Sequence, residues 1–233
     1  MKISAKIRFY YAAAVIAPLV SLMIVLMYFF PKHKGAIIHY LNAAIIKLLG
    51  TKVEVIGQPD ERAQLYLINH QGLLDIIAME AMTDKHYRWV AKKELFEIPW
   101  FGRLMHLGEM ISVDREDRKG LIKLMKDVKE SIETMHRPVA IFPEGTRSKK
   151  GKLLPFKEGA KFIAEKFGLI VQPVVIVGTR KVVDEQRKTA EGGDMKIIFL
   201  PAVDVKQAPE TWYEDLRKQM QRVLDKYNAD LDD

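Results

Sequence analysis

From Ile7 to Phe30 the chain is almost wholly apolar, and no globular fold can use such a segment as an ordinary surface element. Its roughly 24 residues, at about 1.5 Å each, are long enough to match the hydrocarbon core of a bilayer. Basic residues precede it, as in a secretory leader. The run is too long for one, however, and it ends in Phe29-Phe30-Pro31-Lys32, which is no small-residue cleavage site. Charge gives a crossing no direction, because Lys2, Lys6 and Arg8 on one side balance Lys32, Lys34 and Lys47 on the other. Pro18, near the midpoint, predicts a bend. After the break Pro31-Lys32-His33-Lys34-Gly35, residues Ile37, Leu41, Ala44, Ile45 and Leu48 recur at helical spacing in a stretch too short to span. That stretch suits an interfacial helix or one packed on the core. Residues 1–50 are therefore expected to form a membrane-embedded helical hairpin that enters one leaflet and returns. Such a chain would be monotopic, on the cytoplasmic face of a bacterial inner membrane.

The formal net charge of +7 is concentrated in the same region. Six of the 37 basic residues and no acidic one lie in the first 50, which leaves 31 against 30 for the remainder. A nucleic-acid binder would carry its excess on the folded domain, so no nucleic-acid partner is expected. Basic residues flanking apolar sequence fit anionic lipid headgroups instead. The absence of cysteine removes thiolate metal sites, redox motifs and cysteine nucleophiles together.

Beyond Gly50 the pattern alternates. Strands are predicted at Lys52 to Ile56, Leu65 to Asn69, Arg88 to Ala91, Met110 to Val113, Val139 to Phe142, Ile170 to Val177 and Met195 to Leu200. Helical stripes run through Leu121, Leu124, Val128, Ile132 and Met135, through Ala160, Ile163, Ala164 and Phe167, and through Trp212, Leu216, Met220, Val223 and Tyr227. Several strands read as apolar on both faces. One α/β domain over residues 51–233 is expected, its largely parallel or mixed sheet covered by helices.

The chemistry is expected where strand gives way to helix at Asn69-His70-Gln71-Gly72-Leu73-Leu74-Asp75. Residues five apart on one helix do not face each other, so His70 must lie in the turn and Asp75 in the first helical turns for the two to pair. Asp75 would then hold one ring nitrogen and its tautomer, leaving the other to take a proton. Taken alone, the pair also reads as a surface histidine near an acid that favours a helix start. A second stretch, Phe142-Pro143-Glu144-Gly145-Thr146-Arg147-Ser148, follows a buried-looking strand and concentrates phosphate donors. It is not a P-loop, because five residues separate Gly145 from Gly151 and Lys152 is followed by Leu153. A third, Gly108-Glu109-Met110-Ile111-Ser112-Val113-Asp114-Arg115, delivers Arg115 to a strand's carboxyl end, where α/β sheets hold ligands.

Together with Ala91-Lys92-Lys93-Glu94-Leu95, Pro99 and Gly102, and with Val171-Gln172-Pro173-Val174-Val175-Ile176, these stretches resemble in order and spacing the four blocks of the glycerolipid acyltransferases. The resemblance is closest to the 1-acylglycerol-3-phosphate acyltransferases and covers roughly Lys52 to Thr179. One departure is the polar Glu109-Met110-Ile111-Ser112 leading into Arg115. The resemblance implies an O-acyltransferase of phospholipid synthesis. It would move a fatty acyl group from acyl-CoA or acyl carrier protein to the hydroxyl of lysophosphatidic acid, giving phosphatidic acid, with no bound cofactor or metal. His70 would be the base and Asp75 its partner. Gly145, Thr146 and Arg147 would hold the acceptor phosphate with Arg115 and Lys93, and Glu144 would orient an Arg or the acceptor hydroxyl. With no Gly-x-Ser-x-Gly elbow, direct transfer is expected. The rivals are the same chemistry on glycerol 3-phosphate or another lysolipid, and a non-catalytic lipid carrier.

Overall fold

A computed structural model describes residues 2–114, 118–148 and 151–232. Arg115 lies outside these residues. The chain opens with α1 (Lys2–Phe29), a single 3-10 turn (Pro31–His33) and α2 (Lys34–Leu48). There follow β1 (Val53–Ile56), β2 (Leu65–Ile68), α3 (Leu73–Met82), β3 (Arg88–Lys92), α4 (Lys93–Phe96), α5 (Phe101–Leu107) and β4 (Ile111–Val113). The second half runs α6 (Arg118–Glu133), β5 (Val139–Ile141), α7 (Glu158–Phe167), β6 (Ile170–Val177), α8 (Thr179–Val182), β7 (Met195–Phe199), β8 (Val203–Asp204) and α9 (Trp212–Asp232).

All seven predicted strands are present to within a residue or two, and the two-residue β8 is the addition. The sheet order is β1-β7-β6-β2-β5-β3-β4, with β8 also on β6. Pairing is parallel except where β7 and β8 meet β6. Strand alternation divides the core into two apolar layers. Tyr66, Ile68, Val174 and Ile176 face α3 and the amino-terminal helices. Leu65, Leu67, Val171 and Val175 face α6, α7 and α9. In α6 the stripe buries Leu124 and Val128 but leaves Leu121 exposed.

The amino-terminal hairpin exists, but its turn is not at Pro18. Helix α1 runs unbroken through that residue, and the reversal falls at Pro31. Pro18 forfeits only one backbone bond inside an apolar helix, whereas Phe30, preceding a proline, is pushed out of helical geometry to φ −124° and ψ 63°. In α2 the buried set is Ile38, Asn42, Ile45 and Ile46, about one residue out of phase with the predicted stripe, and Leu48 is exposed. That face packs on α3, and α1 packs on α2 and α5. The far end of α1 is tied down too. Ala190 donates its N–H to the Ala5 carbonyl at 3.0 Å, and the Arg8 guanidinium donates to the Glu191 carbonyl.

Candidate active site

Strand β2 lies between β5 and β6, parallel to both, so three carboxyl ends open side by side. The site is assembled there, from the turns that follow these three strands. Asn69 joins two of them at their tips, donating Nδ2–H to the Ile176 carbonyl at 2.9 Å and accepting the Ile176 N–H at 2.7 Å. Two long-range backbone bonds follow from one side chain, and both partners are buried.

The next residue, His70, lies in the turn, and α3 begins at Leu73 with Gly72 as its cap. Asp75 is thus the third helical residue, placed to accept the cap's amide. Its Oδ2 lies 2.8 Å from His70 Nδ1 and accepts the N–H groups of Gln71 at 2.6 Å and Gly72 at 2.8 Å. Its Oδ1 accepts the Thr179 hydroxyl at 2.6 Å. Asp75 is fully buried, so this ring of donors replaces its lost hydration. The His70 ring stacks on Phe142, with centroids 3.9 Å apart and planes 14° from parallel, and Phe142 stacks in turn on Trp89. An aromatic face beneath the ring fixes its plane.

The loop after β5 closes onto this turn. Gly145 has φ +72°, which a residue with a Cβ adopts only under strain, and its N–H returns to the Phe142 carbonyl at 3.0 Å. The Ser148 N–H donates to the His70 carbonyl at 2.8 Å. Glu144 does something different from what its place beside the phosphate donors implied. It is buried, and its two oxygens accept the backbone N–H groups of His70 at 2.9 Å and Leu154 at 2.7 Å. It buckles the loop to the histidine's backbone, and among the described residues no arginine is its partner. Burial raises its carboxyl above the ordinary range, and the two backbone donors oppose that rise.

Gly145, Thr146 and Arg147 line the same cavity as His70. Lys93 does not; its ammonium is 2.7 Å from Asp114, and Lys92 is the lysine on the cavity wall. The polar Glu109 that departs from the family pattern also has a structural post. At φ +59° it takes ion pairs from Lys34 at 2.9 Å and Arg137 at 2.7 Å, bracing the hairpin against the domain.

Three contributors were not legible in advance. Thr179 and Glu185 sit beyond β6, more than 100 residues from His70 in the chain, and only the β2–β6 register brings them near. Glu185 accepts the Leu73 N–H at 2.5 Å and lies 3.4 Å from Arg147. The third is the cavity itself, roughly 540 Å³ and walled mainly by apolar side chains. It runs from His70 between Trp89, Phe142 and Leu104 to Ile16, Val20 and Met23 of α1. Volumes of about 300–1,000 Å³ are typical of small-molecule sites.

One carboxyl interrupts that apolar wall. Glu80 accepts the Trp89 indole N–H at 2.7 Å, and burial pushes it up to about 8, against the pull of that bond and of Arg137. An unfolded glutamate titrates near about 4.3, so the folded state binds this proton more tightly. Glu80's contribution to stability is full below about 4.3 and lost as pH rises through about 8. Denaturation midpoints should therefore decline across that window, and Glu80→Gln should flatten the decline. Equal slopes in parent and variant would mean that Glu80 does not hold the proton.

The family model described as Acyltransferase matches residues 52–177. A 1-acyl-sn-glycerol-3-phosphate acyltransferase of Helicobacter pylori is 40% identical over 232 residues, covering 99% of this chain and 98% of its own. The Escherichia coli protein of the same name is 29% identical over 205 residues, covering 87% and 82%. The crystal structure of the 1-acyl-sn-glycerophosphate (LPA) acyltransferase from Thermotoga maritima aligns with a TM-score of 0.74 at 26% identity, covering 97% of this chain and 94% of that one.

Proposed function

We propose that this chain, which belongs to the acyltransferase family and is an O-acyltransferase, transfers a fatty acyl group from a thioester to the free hydroxyl of 1-acylglycerol 3-phosphate. The product is phosphatidic acid, and the donor is acyl-CoA or acyl carrier protein. The observation that carries the reading is one geometry. His70 Nδ1 is held 2.8 Å from Asp75, which leaves Nε2 for the cavity that Thr146 and Arg147 also line.

From that ground state the steps follow. The acceptor hydroxyl gives its proton to Nε2 as its oxygen attacks the thioester carbonyl. Asp75 stabilises the imidazolium so formed. When the tetrahedral intermediate collapses, the C–S bond breaks and the thiolate takes the proton from His70. A thiol pKa near about 8.5 makes this departure easy. Arg147, with the backbone of Gly145 and Thr146, binds the acceptor phosphate, and Arg115 is proposed beside it. The apolar cavity takes acyl chain.

Residues 1–50 act as the membrane arm of the 51–233 catalytic domain, at the cytoplasmic face. Tyr10, Leu22, Val25, Tyr28 and Phe29 of α1 are exposed, while Val20 and Met23 of the same helix are buried and line the cavity. A helix apolar on its outward side and walling a cavity on the other supports immersion in one leaflet. The chain has no cysteine, so Ser4→Cys makes a single label site. In intact cells a membrane-impermeant thiol reagent should leave it unmodified; modification from outside would mean that α1 crosses.

The function is tested by an acceptor panel with acyl-CoA and acyl carrier protein donors, reading lipid product by mass spectrometry. Phosphatidic acid from lysophosphatidic acid is the expected product. Thioester loss with no acylated lipid, or preference for glycerol 3-phosphate, overturns the acceptor.

A further inference from the structure

One donor that would receive the acceptor's phosphate, Arg147, already faces an anion belonging to this chain. Glu185 accepts the Leu73 N–H, the first amide of α3, through Oε1 and faces Arg147 through Oε2. It lies close over the His70 turn, since a Cβ built on Gly72 would sit 3.2 Å from Glu185 Oε2. A helix amino terminus and a guanidinium are the pair of groups a phosphate seeks, and the carboxylate meets both as two phosphate oxygens would.

The backbone around Glu185 is fixed while its side chain is the part with room to move. Buried Asp184 accepts the N–H groups of Gln186 and Arg187, each at 2.9 Å, and the Arg180 Nε–H at 2.9 Å. Arg180 also donates to the Ser148 carbonyl at 3.0 Å, joining this turn to the Arg147 loop. The Glu185 side chain itself is 26% exposed. It can swing to water without disturbing the turn that carries it.

We propose that Glu185 is a resident anion that the acceptor's phosphate must displace from Arg147, and that it thereby sets the affinity of the site for phosphorylated lysolipids. This rests on the reading that Arg147 takes the acceptor phosphate. A monoester carries close to two negative charges at neutral pH and three free oxygens. It outbids a carboxylate at both donors. A phosphodiester headgroup carries one charge, no more than Glu185, and holds the same donors more weakly. Displacing the carboxylate costs the same whichever headgroup does it, so Glu185 lowers the affinity for both by one factor.

The test compares parent, Glu185→Gln and Glu185→Ala on lysophosphatidic acid and lysophosphatidylglycerol of the same acyl chain. Glutamine keeps an oxygen for the Leu73 amide and loses only the charge. The expected result is a fall of about fivefold in KM for lysophosphatidic acid with kcat retained, the worth of one part-exposed ion pair. The ratio between the two acceptors should stay as in the parent, because the displacement cost is common to both. Thermal protection by glycerol 3-phosphate should also appear at lower concentration in the variant than in the parent. An unchanged KM for lysophosphatidic acid in both variants overturns the proposal. So does an equal loss of kcat on both acceptors, which would make Glu185 a brace for α3. If the parent itself makes no phosphatidic acid, the assigned acceptor fails instead, and the glycerol 3-phosphate titration still decides whether Glu185 competes with a phosphate.

Discussion

His70→Ala is expected to lower kcat by about 10³-fold or more, the usual worth of a positioned general base, while folding and membrane attachment persist. The substitution removes only the ring. The backbone N–H of residue 70 keeps Glu144, its carbonyl keeps the Ser148 amide, and Asp75 keeps the Gln71 and Gly72 amides. No buried charge is stranded, so the turn survives. Phosphatidic acid formation by purified protein in vesicles measures the rate, and flotation with the vesicles measures attachment. Near-parental turnover would remove His70 from the mechanism.

The second large effect belongs to Asp75, and amide and alanine replacements should differ. In Asp75→Asn, two backbone N–H donors 2.6 Å and 2.8 Å from Oδ2 force the amide oxygen to remain there, facing His70. The NH₂ then faces Thr179, whose hydroxyl can accept it and donate to Gln71 Oε1, 3.2 Å away. The histidine's tautomer is therefore kept and only the charge opposite the imidazolium is lost. A fall of about 10²-fold in kcat is expected, typical of removing one electrostatic stabiliser, with little change in Tm. Asp75→Ala instead leaves several buried donors without an acceptor, each costing about 1–3 kcal/mol, and should lower Tm sharply. Parental activity in Asp75→Asn would exclude a role for the charge.

What the sequence made visible, and what it hid, divides by the range of the interactions. Strand positions were legible because β2, β5 and β6 are buried on both faces and read as continuous apolar runs. The geometry of His70 and Asp75 was legible because helical periodicity alone forces the histidine into the turn. Residue type did not show that Glu144 serves two backbone amides or that Lys93 pairs with Asp114. Motif position says which loop a side chain belongs to, not which way it points. Thr179 and Glu185 were illegible for another reason. Their approach depends on β6 lying beside β2, a pairing that no local pattern encodes.

The bond from Ala190 to Ala5 and the contact of Arg8 with Glu191 fasten the first helix to the segment that also carries Thr179 and Glu185. The same helix supplies Ile16, Val20 and Met23 to the cavity wall. An anchor that could be trimmed to make a soluble enzyme would touch neither. Here the apolar segment is at once roof and tether, so a version shortened by removing it would have an open chamber and would free the segment that carries Thr179 and Glu185.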